Sequence, residues 1–481
     1  MSNLGSALMK QGKMIDSVAA CRRALAIRPD HAAALANLGA GLQLTGRIDE
    51  SLDACRRALA IRPDHAAALS TLCMTAHYST AVTGAEMLSI ARAWARLHER
   101  ADPAPIFDND RARTRPLRVG YVSGDLHAHP VGFFLGAVLP AHDRQRVEVT
   151  CYTTSARVDD VTVRLQQGAD RWRSLIGLSD DMASALIRQD AIDVLVDLSG
   201  LTPYNRLPMF ARRAAPVQAT WLGYFGTTGL AAMDYILADR FVIPEGEEGN
   251  FSETVWRLPD SYLCFEQPPF DIAVEEPPAR QTGSVTFGCF NRLSKISPET
   301  IALWSAVLHA APVSTLLLKS FEFDDDALCA SLRSRFATYG IDPDRVTIEG
   351  PEPRQALLRS YNRVDVALDP LPYGGGTTTA EALWMGVPVV TLRGDRWVGR
   401  VSESIQAAAG LSELVAPDVA AYVALASGLA ANLDFLGELR AALRPSMVAS
   451  PLCDGKRFAR NLEDAYHGMW QAWCKQTVTK Q

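Results

Sequence analysis

The sequence lacks most of the features that mark membrane-bound, secreted or metal-dependent proteins. No apolar run approaches the roughly 18 residues that span a bilayer, and the start, MSNLGSALMKQGK, lacks the charged-then-apolar pattern of a signal peptide. The nine cysteines are scattered and none forms a CxxC pair, so neither a disulfide framework nor a zinc site is indicated. These absences predict a cytoplasmic protein that does not cross a membrane.

An excess of positive charge is also missing. The formal net charge is −6 at pH 7, whereas general nucleic-acid binding requires a basic surface. Hydrophobic residues make up 48% of the chain and charged residues 21%, which is typical of a folded globular protein. With 481 residues, the chain is long enough for about two to four domains.

A repeat is present near the start of the chain. The stretch Cys21–Leu35 recurs unchanged as Cys55–Leu69, at an offset of 34 residues. This period is typical of tetratricopeptide repeats, in which each helix pair buries its apolar face by stacking on its neighbours. Pro29 and Pro63 each close one unit, and the Asp-His dipeptide after each begins the next helix. About two repeats are visible, which makes a short binding groove.

The rest of the chain alternates short apolar strands with helical stretches, which predicts parallel sheets covered by helices on both faces. A proline-rich crossing at 267–281 separates two sets of strands. Two doubly wound sheets joined in this way leave a cleft, and ligands bind outside the carboxyl ends of their strands. The predicted strands are 117–123, 147–152, 192–198 and 216–223 in the first set, and 284–290, 313–319, 345–349, 364–368 and 387–392 in the second. The predicted domains are tetratricopeptide repeats at 1–75, a helical cap and linker at 76–115, a first α/β lobe at 116–266 and a second at 284–475.

Three glycines lie in the loop after the strand 364–368, and the three threonines that follow begin a predicted helix at 377–385. Glycine lets the backbone approach a ligand closely, and a helix N-terminus offers unpaired N–H groups to an anion. The pattern therefore predicts a phosphate site. An alternative is a simple capping box, with Thr378 as the cap and Glu381 reaching back, but this does not explain the consecutive glycines. The predicted ligands are Gly376, Thr377, Thr378 and Thr379.

A second candidate segment is Asn291–Pro298, which follows the first strand of the second set. Lys295 and Arg292 lie in this loop, so by topology they face the cleft. A nucleoside diphosphate gains negative charge when it departs from a sugar. A fixed lysine beside a helix terminus would stabilise that charge without a metal ion.

A third candidate segment, Ser123–Gly132, follows the first strand of the first set. It contains His127 and His129, but no third ligand is evident that would complete a metal site. His129 precedes a proline, which holds it out of helical geometry and suits it to act as a base or a substrate anchor. Asp197, at the end of a strand in the same lobe, is the second candidate for the base, with a structural cap as its alternative.

Read in order after a 34-residue repeat, these segments resemble the O-linked N-acetylglucosamine transferases, a group (glycosyltransferase family 41) that also contains plant SPINDLY-type protein O-fucosyltransferases. The resemblance implies an α/β protein of GT-B architecture, with two Rossmann-like lobes preceded by an α-helical tetratricopeptide segment. It also implies inversion at the sugar carbon, no metal ion and a Ser or Thr hydroxyl of a protein as the acceptor. Asp324–Asp326 imitates a metal-binding DxD but is predicted to be a solvated turn. The most specific segments are Val119–Ser123 with His129, Pro216–Gly229, Phe290–Ile296 and Gly376–Pro388.

The resemblance implies roles for particular residues. Lys295 is similar to the family lysine on the diphosphate, and Thr377 and Thr378 are similar to its phosphate-contacting threonines. Glu381 stands where the family has an acidic residue on the ribose, and His129 is similar to the active-site histidine of the first lobe. The implied function is transfer of N-acetylglucosamine from UDP-GlcNAc to protein, with the repeat helices as a possible surface for the acceptor protein or peptide and with no cofactor.

Three departures from the family pattern keep two alternatives open. Gly376 stands where the N-acetylglucosamine enzymes have histidine, and Gly-Gly-Thr-Thr-Thr is closer to the plant fucosyl type, so GDP-fucose is an alternative donor. Leu201 stands where relatives often have His or Tyr and cannot transfer a proton. It favours a second alternative, a helical-repeat adaptor with degenerate transferase lobes. Arg292 stands where some relatives have glutamine.

Overall fold

The computed structural model describes residues 2–99, 105–112 and 115–478, and parts of the predicted linker (100–104 and 113–114) lie outside the described residues. The chain forms two compact units. We call Met1–Ala81 with Pro268–Ser450 the repeat-bearing unit, and Val82–Gln267 with Pro451–Gln481 the terminal-helix unit. The predicted boundaries differ, because they assigned the helix after the repeats to a cap and kept residues up to 475 in the second lobe.

The repeat-bearing unit begins with five helices arranged as consecutive antiparallel neighbours. The starts of the third and fifth helices follow from the sequence. His31 and His65 are their N-caps, and the two imidazoles accept hydrogen bonds from the amides of Ala34 (3.2 Å) and Ala68 (3.4 Å), respectively. The Asp-His dipeptide therefore begins each helix as predicted. The helices are α1 (Ser2–Lys10), α2 (Met14–Ile27), α3 (Ala32–Leu44), α4 (Ile48–Ile61) and α5 (Ala66–Ala76).

The repeat helices cross where glycine faces cysteine. A Cβ on Gly39 would lie 2.5 Å from the Sγ of Cys55, so only glycine allows this approach. The Ser51 hydroxyl donates a 2.7 Å hydrogen bond to the carbonyl of Gly39, which fixes the same crossing. These cysteines are therefore packing residues. One repeat earlier the same arrangement is formed by Gly5, Cys21 and Ser17.

The second part of the repeat-bearing unit is a six-stranded parallel sheet with the order β10-β9-β8-β11-β12-β13. This order reverses between β8 and β11, which is the Rossmann arrangement. All five strands predicted here are present, with ends shortened by one to two residues, and β13 was missed. The strands are β8 (Val285–Cys289), β9 (Ser314–Lys319), β10 (Val346–Glu349), β11 (Val366–Leu368), β12 (Val389–Leu392) and β13 (Val415–Ala416). The helices are α11 (Ala279–Thr282), α12 (Pro298–Ala310), α13 (Asp326–Ala337), α14 (Arg354–Ser360), α15 (Thr377–Trp384), α16 (Trp397–Ala408), α17 (Val419–Ala431) and α18 (Leu433–Ala449).

The terminal-helix unit contains a seven-stranded parallel sheet with the order β3-β2-β1-β4-β5-β6-β7. Its order reverses between β1 and β4, so it is also a Rossmann-like sheet. The four strands predicted here are present, whereas β3, β6 and β7 were missed. The strands are β1 (Leu117–Ser123), β2 (Val147–Thr153), β3 (Arg171–Ser174), β4 (Val194–Asp197), β5 (Val217–Thr220), β6 (Tyr235–Ala238) and β7 (Thr254–Arg257). The helices are α6 (Gly84–Arg96), α7 (Pro130–Gly136), α8 (Asp160–Gly168), α9 (Asp180–Gln189), α10 (Leu207–Phe210) and α19 (Gly455–Val478).

Both ends of the terminal-helix unit pack onto this sheet and its loops. From α19, the Tyr466 hydroxyl is hydrogen-bonded to that of Tyr121 (3.0 Å), and Phe458 stacks on Trp221 with ring centroids 5.8 Å apart. From α6, the backbone of Ala91 lies against Gly229, where a Cβ would come within 2.4 Å. These contacts are the physical reason why residues 84–96 and those after 450 belong to this unit.

No single helix in the described part of the chain is both long and apolar enough to cross a membrane. The pair α17 and α18, which is bent by 99°, passes the same test of length and composition when its two helices are taken together.

Candidate active site

Two loops of the repeat-bearing unit meet at the point where its strand order reverses. β8 and β11 are hydrogen-bonded neighbours, and the chain leaves their carboxyl ends into the segments Asn291–Lys295 and Asp369–Gly376. Such a switch point is where open parallel sheets bind ligands. The lysine loop and the glycine–threonine loop predicted from the sequence therefore lie side by side.

Lys295 joins these two loops. Its Nζ donates hydrogen bonds to the carbonyl of Gly374 (2.7 Å) and to Oδ1 of Asn291 (3.1 Å), and it lies 4.2 Å from the centroid of the Tyr373 ring. Burial lowers the pKa of the Lys295 ammonium to about 8, and the nearby Asp369 carboxylate opposes this shift. The site thus contains a partly desolvated cation in a fixed position.

The glycine loop is shaped by a buried carboxylate. Oδ1 of Asp369 accepts a hydrogen bond from the Gly375 amide (2.6 Å), and its Oδ2 accepts one from the Thr391 hydroxyl (3.0 Å). A Cβ on Gly375 would lie 2.2 Å from the Oγ1 of Thr379, so a larger residue there would force the loop to move. Asp369 was not predicted as a site residue, although it directly follows the predicted strand 364–368.

The α15 N-terminus follows this loop. Its first intrahelical hydrogen bond runs from the Ala380 amide to the carbonyl of Gly376 (3.0 Å). The helix itself therefore does not use the amides of Thr377, Thr378 and Thr379. Because these amides also lie at the positive end of the helix dipole, they can receive an anion.

The capping-box alternative is wrong. Gly376, rather than Thr378, is the N-cap, and no side chain caps this helix. The Thr378 hydroxyl donates instead to Oδ1 of Asn291 (3.0 Å), which also accepts from Lys295. Asn291 is thus the common acceptor of two predicted site residues, a role that the sequence reasoning missed.

Glu381 and Thr379 are turned into the protein. Glu381 is 4% exposed, and its Oε1 accepts from Nε (3.1 Å) and Nη2 (3.0 Å) of Arg354. Burial raises the pKa of Glu381, and Arg354 opposes the shift. The Thr379 hydroxyl is hydrogen-bonded to that of Ser402 (2.8 Å). In this structure Thr379 therefore supports the loop with its side chain and offers a ligand only its amide.

The Arg292 side chain of the lysine loop packs against Phe321, and its charge is near enough to Lys295 to lower the pKa of that lysine. Arg292 is exposed, and its guanidinium lies 5.0 Å from the centroid of the Phe321 ring. A small pocket lies beside the two loops. The Phe290 and Tyr361 rings in its wall have centroids 4.4 Å apart, and Asn291 and Thr378 line it as well. The pocket combines aromatic faces with polar groups, as small-molecule sites do.

His129 and Asp197 lie at the switch point of the other sheet, in the terminal-helix unit. His129 is the N-cap of α7, and its Nδ1 accepts a hydrogen bond from the Val131 amide (3.3 Å). The neutral ring therefore carries its proton on Nε2 and can donate it there. Asp197 is fully buried and accepts from the amides of Ser199 (3.2 Å) and Gly200 (2.8 Å). Burial raises its pKa to about 6.

Two further predictions concern metal ions. Asp325 of the DxD-like stretch is the N-cap of α13, where it accepts from the amides of Ala327 (2.9 Å) and Leu328 (3.1 Å). Throughout residues 2–99, 105–112 and 115–478, no three His, Cys, Asp or Glu side chains are grouped so that they could share a metal ion.

Comparison with known proteins identifies the family. The model of glycosyl transferase family 41 matches residues 55–267 and 279–462. The chain belongs to glycosyl transferase family 41. A tetratricopeptide repeat model matches residues 1–64, which confirms the repeats predicted from the 34-residue period.

Several family 41 proteins are similar to this chain. The rice protein named probable UDP-N-acetylglucosamine–peptide N-acetylglucosaminyltransferase SPINDLY (Oryza sativa subsp. japonica) is 39% identical over 376 residues, covering 76% of this chain. The Arabidopsis thaliana protein of the same description named SEC is 33% identical over 372 residues, covering 74% of this chain. The chain spans about 40% of the length of the rice relative and 37% of the Arabidopsis one.

One solved structure of this family extends the likeness to the whole chain. A Thermobaculum terrenum O-GlcNAc transferase mutant matches with a TM-score of 0.87 and 38% identity, over 99% of this chain and 98% of that chain. Together with the two Rossmann-ordered sheets, this confirms the predicted fold class: two lobes of the GT-B class preceded by tetratricopeptide helices.

Proposed function

We propose that this chain is an inverting protein O-glycosyltransferase that transfers N-acetylglucosamine from UDP-GlcNAc to Ser or Thr hydroxyls. The observation that carries the proposal is the convergence of Lys295 with the Gly374 carbonyl and the free end of α15 at the switch point. The similarity to proteins named as UDP-N-acetylglucosamine–peptide N-acetylglucosaminyltransferases favours this donor.

In the proposed reaction, the acceptor oxygen attacks the anomeric carbon while the bond from that carbon to the diphosphate oxygen breaks. The hydroxyl proton passes to water, and UDP departs from the opposite face. Lys295 and the amides of Thr377 and Thr378 stabilise the negative charge that develops on the diphosphate. Because these groups are held in place before the reaction, little reorganisation is needed when the charge forms.

The proposal assigns different work to the two base candidates. His129 donates its Nε2 proton in the neutral state, which favours the substrate-anchor role among its two predicted roles. Asp197 is buried and its oxygens are occupied by backbone amides, which favours the structural-cap alternative over proton transfer. Leu201 is also buried, at 3% exposure, and acts as a packing residue.

The remaining predicted contacts extend this proposal. Arg292, exposed on the lysine loop, is proposed to contact the nucleotide sugar when it binds. Glu381, held by Arg354, is proposed to lie beside the ribose. The repeat helices are the proposed docking surface for the acceptor protein or peptide. Lys295 and the helix terminus take the place that a metal ion has in other transferases.

A thermal-shift panel tests the donor. We expect UDP and UDP-GlcNAc to raise the unfolding midpoint, because a ligand at about 100 times its Kd stabilises the folded state by about 2.7 kcal/mol. GDP and GDP-fucose serve as the matched comparison, with transfer to a peptide measured by mass spectrometry. A shift with GDP-fucose alone would replace the proposed donor by fucose. Partner binding without any nucleotide-induced shift would favour the adaptor alternative.

The pH dependence of kcat/KM is expected to follow the titration of the Lys295 ammonium. Its protonated form is the one that stabilises the diphosphate, and burial lowers its pKa to about 8. The charged fraction of the free enzyme therefore falls as the pH rises through about 8, and we expect kcat/KM to fall on the same alkaline limb. Initial rates between about pH 6 and pH 10 measure this limb. In Lys295→Arg the limb should move to higher pH, because arginine stays charged; an unchanged limb would show that another group titrates.

A further inference from the structure

The turn after α5 contacts both loops of the candidate site. Tyr78 is 8% exposed, and its ring centroid lies 4.8 Å from that of Tyr373, the residue before Gly374. Ser294, the residue before Lys295, lies close to the Tyr78 hydroxyl and opposes the rise that burial causes in the Tyr78 pKa. One side chain of the helical-repeat segment therefore packs on the neighbour of the carbonyl acceptor and lies close to the neighbour of the lysine.

Other contacts between the repeats and these loops lie close by. The turn between α3 and α4 approaches the lysine loop so closely that a Cβ on Gly46 would lie 3.3 Å from the carbonyl oxygen of Leu293. Nη1 of Arg396, in the loop before α16, donates to the carbonyl of Ser79 (2.8 Å). The Arg396 hydrogen bond thus fixes the turn that carries Tyr78 to the sheet part of the repeat-bearing unit, and the Gly46 contact places a second turn of the repeats against the same loops.

We propose that Tyr78 is a positioning residue for Lys295, acting through the Tyr373 ring. A lysine ammonium sits on a flexible four-carbon stem, so it keeps one position only where its neighbours restrict it. Three groups restrict Lys295: Oδ1 of Asn291, the carbonyl of Gly374 and the Tyr373 ring. Tyr78 packs against the third of these.

This inference gives the tetratricopeptide segment a role in the donor site in addition to acceptor docking. The Tyr373 ring attracts the ammonium by a cation–π interaction, which is strongest where water is excluded. The buried Tyr78 side chain packs against the Tyr373 ring, so it helps to exclude water from Lys295. The inference rests on the proposed function only where turnover is the readout.

The first test is kinetic. We expect Tyr78→Ala and Tyr78→Leu to lower kcat between about tenfold and 100-fold, the loss that follows from a small misplacement of a catalytic group. The donor KM should change less than about threefold, because the charge on the diphosphate is largest in the transition state. Tyr78→Phe keeps the ring and should keep most of the activity. Val18→Ala, in the buried core of the repeats, is the control for loosening of the segment, and its kcat should equal that of the wild type.

The second test needs no turnover. Trace acetylation of the ligand-free protein with acetic anhydride, read by mass spectrometry, gives the pH midpoint at which Lys295 becomes reactive, with exposed Lys456 as the internal reference. The titratable or charged groups around Lys295 are Asp369, Cys289 and Arg292, and none of them is altered. Removing Tyr78 admits water, so the midpoint should move to higher pH, towards that of an ordinary lysine.

The outcomes separate this inference from the proposed function. A moved Lys295 midpoint in Tyr78→Ala and a retained one in Tyr78→Phe support the positioning role, even if the wild type transfers no sugar. An unmoved midpoint in folded Tyr78→Ala overturns it. If the alanine variant does not fold, Tyr78→Leu, which retains most of the volume, decides in the same way. Equal damage by Tyr78→Phe and Tyr78→Ala also overturns it, because the ring would then not be the part that acts.

Discussion

Lys295→Ala is expected to lower kcat about 100- to 1,000-fold, the usual cost of removing one preorganised group that stabilises developing charge. The fold should be unchanged, because Lys295 contributes hydrogen bonds to a loop carbonyl and to Asn291 but none to a strand or helix. The unfolding midpoint and the circular dichroism spectrum should therefore match those of the wild type. Initial transfer rates at saturating donor give the loss in kcat directly.

Lys456→Ala is the matched control for this variant, since it removes the same charge from an exposed position on α19. It should keep full activity. If Lys295→Ala instead turned over at the rate of the wild type, the lysine would have no part in stabilising the leaving group. The proposed mechanism would then have to be withdrawn.

Gly375→Ala is expected to cost donor affinity at least about tenfold, with a comparable loss of turnover at low donor concentration. Its added Cβ would lie 2.2 Å from the Oγ1 of Thr379, 2.9 Å from that of Thr378 and 3.1 Å from Oδ1 of Asp369. Overpacking of this kind costs about 1–3 kcal/mol. Asp369 is held by its hydrogen bonds to the Gly375 amide and the Thr391 hydroxyl. The glycine loop must therefore move, and the N-terminal amides of α15 move with it.

Gly376→Ala provides the comparison for the same chemical change one residue later. There the Cβ would meet only Cγ1 of Val401, at 3.6 Å, which is ordinary van der Waals contact. We therefore expect Gly375→Ala to weaken UDP binding, measured by isothermal titration calorimetry, much more than Gly376→Ala does. Equal effects of the two variants would show that anion binding by the glycine loop and the α15 amides does not depend on the packing of Gly375.

Most of the strands were predictable because central parallel strands are buried on both faces and read as continuous apolar runs. The strands that the prediction missed are different. β3 and β7 are largely exposed or half-exposed edge segments, with the sequences Arg-Trp-Arg-Ser and Thr-Val-Trp-Arg. β6 is inside the sheet but short, and β13 has two residues. Such segments carry too little pattern to be distinguished from loops.

The prediction of the site was limited by contacts that are distant in sequence. The convergence of Lys295 with Gly374 follows from strand order, because adjacent parallel strands end at the same edge of the sheet. The partners of individual side chains do not follow from it. Glu381 occupies the third position after Thr378, as in a capping box, but Arg354 from a separate helix binds its carboxylate. Asn291 adjoined the predicted loop, yet only the folded chain shows that it accepts from both Lys295 and Thr378.

The order of synthesis leaves part of the terminal-helix unit uncovered in the nascent chain. The sheet of the terminal-helix unit is complete once residue 267 has been made, yet Phe458 and Tyr466 of α19 arrive about 190 to 200 residues later. At translation rates of about 5–20 residues per second, this delay lasts roughly 10 to 40 seconds. During that interval Trp221 lacks the Phe458 ring and Tyr121 lacks the Tyr466 hydroxyl. The nascent polypeptide therefore exposes hydrophobic surface to chaperones, and a truncated chain without α19 would expose it permanently.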